Sequence, residues 1–500
     1  MFKKENQYVC REVGGSMDEM DLEFEQIYQK ILVYIHKQED LLLIKHAYNF
    51  VKSAFEGILR KDGNPFLKHL LDTASIVVDL NAGPNTIIAA LLHDCIEDIE
   101  SITYQTIEQE FSSDIADLVE AVTKVSSQEK DNKSKTVQKL FNLMRDDVRI
   151  IIIKLADRLN NMRTLAPMRE EKQKNIASQT LELYAPVARY LGLNEIAKEL
   201  EELCLFYLDR EKYDYICNYV TNHNKENKVG INMIIRNLSI ALNSVGIATE
   251  VYHVNKEIYK IYKYVNSLGK IEEIDDLDVI HVVVEDNLDC YLALGVVHSI
   301  YTPLIGKLKD YISSPKYNMY QALHTVVIGP SGAPIKIAIA TKVMRQIFNE
   351  GIASKWKYNE EKGYCKEEEQ EDIRKHLNII KELDRINMVD GVDSNTYVKI
   401  LEEDVFNHSQ YIYVYSTKGE VIVLPIGAAA IDFAFKIDST SAIRIKKLLI
   451  NGLECQKGTK LKNGCIVSVK YSNKPTIAKE WLEDAKSNYT KMKIKEYLQL

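Results

Sequence analysis

The segment Leu91–Asp98, LLHDCIED, collects His93, Asp94, Glu97 and Asp98 on one short stretch of chain. It grows out of the apolar run IIAALL, so it reads as part of a buried helix. His93 and Glu97 are four residues apart, as are Asp94 and Asp98, and a continuous helix would turn all four toward one side. Three acids beside so apolar a run are costly to bury without partners. A divalent cation removes that cost, and it brings hydrolytic chemistry with it.

Two other segments can complete such a site. NPFLKHLLDTASIVVDL carries His69 on an amphipathic stretch, and IIIIKLADRLNNMRTL carries Asp157 with Asn161 and Thr164 on the same helical face. His69, His93, Asp94 and Asp157 together offer two imidazoles and two carboxylates. That mixed set suits Mn, Fe or Co better than Zn, whose closed sites lean on Cys and His. A metal held this way keeps positions open and makes water a nucleophile near neutral pH. Glu97 and Asp98 are placed to take the proton of that water or to hold it. Singly, each residue has a plainer role: His69 as a satisfied helix-face histidine, Asp157 as a partner of Arg158 or Arg163. Three apolar helices that each deliver a ligand-type side chain favour the metal.

RKDGNPFLKH, LLHDCIED and KLADRLNNMRTL resemble the hydrolase half of the RelA/SpoT-type alarmone synthetase/hydrolase family. The resemblance continues through LELYAPVARYLGL, KDYISSPKYNMYQALHTVVIGPSGAP and YIYVYSTKGEVIVLPIGAAAIDFAF, so it covers nearly the whole chain in the family's order. It implies a multidomain fold. An N-terminal tail (1–20) precedes an all-α HD-type hydrolase domain (21–208) and an α/β nucleotidyltransferase-like synthetase domain (209–358). A charged helical linker (359–403), a β-grasp TGS-like domain (404–472) and a C-terminal helix (473–500) follow. The resemblance also implies an HD site, usually with Mn2+, that removes the 3′-pyrophosphate from (p)ppGpp. The alternatives are a non-catalytic sensor of alarmone or ribosome-associated tRNA, which the intact HD set argues against, and an HD phosphohydrolase acting on another nucleotide. By matched positions His69, His93, Asp94 and Asp157 are the metal ligands, and Glu97 and Asp98 act on the water. Arg60, Lys61, Asn161 and Thr164 then hold the guanosine and its phosphates, in keeping with an Arg plane on a purine and a Lys beside phosphate.

The second domain departs from the family. Its strand EIQIRT reads KIAIAT here, with Lys336, Ala338 and Ala340 replacing Glu, Gln and Arg. The lost Glu is the expected base, and a charged lysine has no lone pair to replace it. The GRPK phosphate clamp reads His253, Val254, Asn255, Lys256, and His281 stands where the family has an arginine. Asp276, Lys309, Tyr320 and His324 keep their places. The expectation is an inactive synthetase. Tyr320, where the family stacks a guanine, and His324 form a candidate regulatory site for a guanine nucleotide; equally, they pack the sheet edge.

The composition fits an intracellular enzyme. Five hundred residues at 46% apolar content allow several cores, and a formal charge of −8 gives no general attraction to nucleic acid. Eight cysteines without CxxC spacing point to reduced thiols. No apolar core marks the start MFKKENQYVCREVGGSMDEMD, and no greasy run is long enough to span a bilayer, so a cytoplasmic location is expected and no membrane partner. The linker EEKGYCKEEEQEDIRK leads into a helix, HLNIIKELDRI. In the last domain Tyr411, Tyr413 and Tyr415 alternate with Ile412 and Val414, and Lys418-Gly419 turns the chain into a hairpin. A single helix is expected across AKEWLEDAKSNYTKMKIKEYL. Asp438 occupies the position of the family's tRNA-sensing histidine, and a carboxylate is a poor neighbour for RNA phosphates, which argues against tRNA or ribosome contact.

Overall fold

The computed structural model describes residues 19–61, 63–126, 147–274, 276–313, 315, 320–330, 332–350 and 411–499. Most of the expected tail, the charged linker with its HLNIIKELDRI helix, and Cys10 and Cys365 lie outside the described residues. Those described fall into two compact units, 19–126 with 148–173, and 174–350 with 411–499.

The first unit is entirely helical. Its elements are α1 (Glu19–Ile31), α2 (Gln38–Ala54), α3 (Phe66–Asp79), α4 (Pro84–Leu92), α5 (Cys95–Asp98), α6 (Tyr104–Glu110), α7 (Ser113–Ser126) and α8 (Val148–Arg163). Pro84 starts α4 at a position where its missing N–H costs nothing, and all eight residues from Thr86 to Leu92 and Pro84 that are described as buried leave it no polar face. In α8 every residue from Val148 to Asn160 is buried, so this helix runs through the middle of the unit, packed on α3, α4 and α7. Each such Ile or Leu contributes about 1.5–3 kcal/mol by leaving water. Arg149 ties the start of α8 to α7 through a two-pronged bond to Asp114, at 2.7 and 2.8 Å. A helix with no wet side has to justify every charge that it carries.

The second unit continues with helices α9 (Asn194–Leu208) and α10 (Arg210–Ser244), the latter capped by Asp209. A five-stranded mixed sheet follows, built from β1 (Glu250–Asn255), β2 (Asp278–Val284), β3 (Lys309–Asp310), β4 (Leu323–Ile328) and β5 (Pro334–Thr341) in the order β1-β2-β5-β4-β3. Only β2 and β5 run parallel, and their register sets Lys336 beside Val279 and Ala338 beside His281. One sheet face, with Ile280, Val282, Ile337 and Ile339, packs on α10 and on α11 (Asn287–Ile300). The alternate positions His281, Lys336 and His324 share the other face. Helix α12 (Lys342–Glu350) packs against β2 and β5.

A second sheet, β6 (Tyr411–Ser416), β7 (Val421–Pro425), β8 (Ile445–Ile450), β9 (Leu453–Cys455) and β10 (Ile466–Tyr471), has the order β7-β6-β10-β8-β9 around α13 (Ala430–Ile437). The hairpin turns at Gly419, whose φ of 84° suits a residue without a side chain. Ile412 and Val414 are buried while Tyr413 and Tyr415 are half-buried, as the alternation predicts. The expected single helix across 478–498 is broken into Trp481–Asp484 and α14 (Asn488–Leu498). Ser487 caps α14, and the buried carboxylate of Asp432 on α13 accepts bonds from the backbone N–H groups of Lys486 (3.1 Å) and Ser487 (3.1 Å). Trp481, Tyr489 and Ile494 thereby join the core of the β-rich domain.

Candidate active site

Three helices of the first unit bring the site together. His69 comes from α3, Asp157 from α8, and His93 and Asp94 from the junction of α4 and α5. Here the structure corrects the expected single helix. It stops at Leu92, His93 and Asp94 form a turn, and a separate short helix begins at Cys95. The Asp94 carbonyl still accepts from the Asp98 N–H at 2.9 Å, so the acidic pair stays one turn apart across the break.

His93 Nε2 lies 3.2 Å from Asp94 Oδ2 and 3.8 Å from Asp157 Oδ1. His69 Nε2 lies 3.3 and 3.5 Å from the same two oxygens. Donor atoms that share an ion at about 2.1 Å stand roughly 3.0–3.4 Å apart. Asp94 meets that spacing with both imidazoles, so His69, His93 and Asp94 have the dimensions of a metal site, and Asp157 Oδ1 stands slightly wider beside them. Both imidazoles are buried, and His93 Nε2 is enclosed with no hydrogen-bond partner. His93 Nδ1 faces the Ala90 carbonyl at 2.8 Å, which makes it the N–H donor and leaves the Nε2 lone pair for the centre. The Asn160 amide fixes the other ring through His69 Nδ1, at 2.9 Å. An orphaned buried nitrogen facing two carboxylates fits a divalent cation.

The electrostatics agree. Burial pulls the His93 imidazole down, but Asp94 and Asp157 outweigh it and hold the ring's pKa at about 10. Burial pushes the Asp94 carboxyl up, and the imidazoles of His93 and His69 prevail, drawing it below the usual carboxylate range. Asp157 is drawn down likewise, against its burial, first by Lys154 and then by the imidazoles. Glu97 and Asp98, both exposed, shift the other way: partial desolvation and then the Asp94 charge raise both.

The substrate-side residues are less uniform. Arg60 sits in a tight loop closed by its N–H on the Asn64 carbonyl (2.8 Å), with its guanidinium over the Phe66 ring. Arg60 Nη2 donates to Asn161 Oδ1 at 2.7 Å, and Asn161 Nδ2 donates to Asp157 Oδ1 at 2.5 Å. Asn161 therefore bridges the loop to a ligand carboxylate. Lys61 is exposed, and Thr164 turns its hydroxyl back to the Asn160 carbonyl, at 3.0 Å. Two residues that the sequence reading missed matter as much: Asn160, and Lys154, whose ammonium meets Asp157 Oδ2 at 2.8 Å. A lysine inside IIIIKLAD was the available signal.

In the mixed-sheet domain Asp276 is held by two lysines, Lys256 and Lys336, the second at 3.5 Å. Asp278 is shared by His223 and His253, each at 2.7 Å. Burial, with Arg345, Lys336 and His253 nearby, pushes the His281 imidazole down to about 3. Tyr320 is half-buried, its hydroxyl 2.5 Å from His324 Nε2 and its ring edge-on to Phe348. In the β-rich domain Asp438 accepts from the backbone of Thr440 and Ser441 and caps the turn Ser439–Ala442.

Three family models match the chain: an HD domain over residues 47–194, the region found in RelA / SpoT proteins over 253–363, and a TGS domain over 412–470. A guanosine-3′,5′-bis(diphosphate) 3′-pyrophosphohydrolase of Spiroplasma citri is 34% identical across 96% of this chain and 66% of its own length. A protein of that name from Aquifex aeolicus is 33% identical across 96% of this chain and 67% of its own. A GTP pyrophosphokinase of Myxococcus xanthus is 34% identical across 93% of this chain and 61% of its own. The chain thus spans about two thirds or less of the length of these relatives.

Proposed function

The chain belongs to the RelA/SpoT family of alarmone synthetases and hydrolases, and from that premise we propose that it is a metal-dependent (p)ppGpp 3′-pyrophosphohydrolase of the cytoplasm with an inactive synthetase domain. The observation that carries the hydrolase reading is the grouping of His69, His93 and Asp94 as candidate ligands, with Asp157 Oδ1 beside both imidazoles and the buried His93 Nε2 lacking any other partner. These four would hold the ion, and the mixed donor set favours Mn2+. Such an ion supplies Lewis acidity and charge neutralisation for phosphoryl transfer to water.

The chain's own residues do the rest. Glu97 and Asp98, both raised above ordinary carboxylates, are suited to accept the proton of the attacking water. The water oxygen bonds to the phosphorus nearest the ribose 3′ oxygen, the bond from that phosphorus to the 3′ oxygen breaks, and the 3′ oxygen takes up a proton. Pyrophosphate leaves GDP or GTP behind. Arg60, with Lys61, Asn161 and Thr164, would position the guanosine and its phosphates, and the Asn161 bridge would join that pocket to Asp157.

The inactive synthetase rests on Asp276. Two ammonium groups meet its carboxylate, so it has little charge left for a cation. Burial draws the Lys336 pKa below the usual lysine range and Asp276 offsets this only in part; as an ammonium paired with Asp276, Lys336 accepts no proton. A regulatory guanine nucleotide at Tyr320 and His324 is part of the same reading; the Tyr320 ring would exchange its contact with Phe348 for a base.

The test is one assay of the purified protein with ppGpp and Mn2+, with and without chelator, beside GDP plus ATP. Pyrophosphate release that chelator abolishes is expected, with no alarmone made. Asp94→Ala and His93→Ala should lose turnover while keeping the fold by circular dichroism. Comparable activity in either variant rejects the site.

A further inference from the structure

Lys154 is 4% exposed and stands between Ile150–Ile153 and Leu155–Ala156, all buried. An ammonium at such a place needs a partner to offset several kcal/mol of lost hydration. It pairs with Asp157, one turn along α8, through Oδ2: Nζ meets that oxygen at 2.8 Å. The other oxygen, Oδ1, faces His69 Nε2 at 3.5 Å and His93 Nε2 at 3.8 Å and accepts from Asn161. The two oxygens of one carboxylate therefore have separate tasks. Released from such a constraint, a carboxylate can grip an ion with both oxygens and fill a place otherwise open to water or substrate.

We infer that Lys154 is a positioning residue: by occupying Oδ2 it limits Asp157 to one donor oxygen and keeps a coordination place free for the reaction. The inference rests on the proposal that the quartet holds a cation. A mere structural prop has the opposite signature, because removing a prop loosens the whole site. Removing a cation that restrains a ligand, beside a cation site, tightens ion binding while turnover drops.

The experiment uses the full chain with Lys154→Met, which keeps the length and apolar stem, and Lys154→Gln, which keeps a donor for Oδ2. Mn2+ affinity is measured by chelator competition, exchangeable water on bound Mn2+ by water-proton relaxation, and kcat and KM with ppGpp. For Lys154→Met we expect Mn2+ bound at least as tightly as in the wild type, one exchangeable water fewer, and kcat down at least tenfold with KM little changed. Lys154→Gln should recover part of the water count and of kcat, and it carries the test if the Met variant does not fold. Mn2+ binding weakened in step with kcat, at an unchanged water count, overturns the role of Lys154 alone. A wild type that binds no Mn2+ overturns the hydrolase reading along with it.

Discussion

Proton and metal should compete for His93 Nε2, and the size of that competition follows from the site. In the ion-free protein the Asp94 and Asp157 carboxylates keep the buried ring protonated up to a pKa of about 10. An ion ligated at Nε2 has to displace that proton, because Nδ1 is committed to the Ala90 carbonyl. At pH 7 the displacement spans about three pKa units, or about 4 kcal/mol, roughly a thousandfold in apparent affinity. Mn2+ affinity should therefore rise about tenfold per pH unit between about pH 6 and pH 8.5, with close to one proton released per ion. Calorimetry in two buffers of different ionisation enthalpy counts the proton, and chelator competition gives the slope. Stability runs the other way in the chelated protein. Raised from 6.5 to about 10, the imidazole contributes stability that is complete below pH 6.5 and lost as pH rises through 10. The Tm of the chelated protein should fall across that window, and Mn2+ should remove the fall. An affinity flat in pH, or no proton released on binding, would refute the reasoning.

Three further outcomes are expected. Lys336→Glu should make no alarmone from GDP plus ATP, since His253, Asn255 and His281 still differ from the family's residues; product detected by thin-layer chromatography would contradict the inactive-synthetase proposal. Guanine nucleotides should change the rate of ppGpp hydrolysis in the wild type and leave Tyr320→Ala indifferent, and an equal response in both would remove Tyr320 from any regulatory role. Asp432→Ala should cost at least about 3 kcal/mol in denaturant unfolding and expose residues 486–499 to protease, because it strips the buried acceptor from the backbone N–H groups of Ala429, Lys486 and Ser487. Wild-type stability in that variant would show that the C-terminal segment does not depend on Asp432.

What the sequence made legible is charge set against an apolar background. His69, His93 and Asp157 stood out because each interrupts a run that is otherwise buried, and the structure keeps all three inside. The break at His93–Asp94 was not legible. No Gly or Pro marks it, and Asp94 bends the chain at φ −99° and ψ −2°, a conformation open to most residues. The helix yields there because His93 and Asp94 face His69 and Asp157 on other helices, and period alone carries no trace of partners that distant. Lys336 shows the same limit. Its replacement of a glutamate was readable, but that it would meet Asp276 alongside Lys256 depends on strand register.

Asp438 carries the lesson furthest. Read as a substitution, it is a lost histidine and an argument against RNA. In the structure its carboxylate accepts from the N–H groups of Thr440 and Ser441 and from the Thr440 hydroxyl, and those bonds, chiefly with Ser441 and Thr440, draw its pKa down to about 2. Aspartate is among the best residues for that position, where a cap contributes about 1 kcal/mol. Capping is thus sufficient reason for an acid at 438, and the residue type stops being evidence about what this surface binds. Only the charge remains as an argument: a carboxylate ionised at every physiological pH and turned inward onto its own backbone has part of its field already spent on those N–H groups. A phosphate nearby would feel less repulsion from it than from a free aspartate, so Asp438 weighs less against RNA than its charge alone suggests.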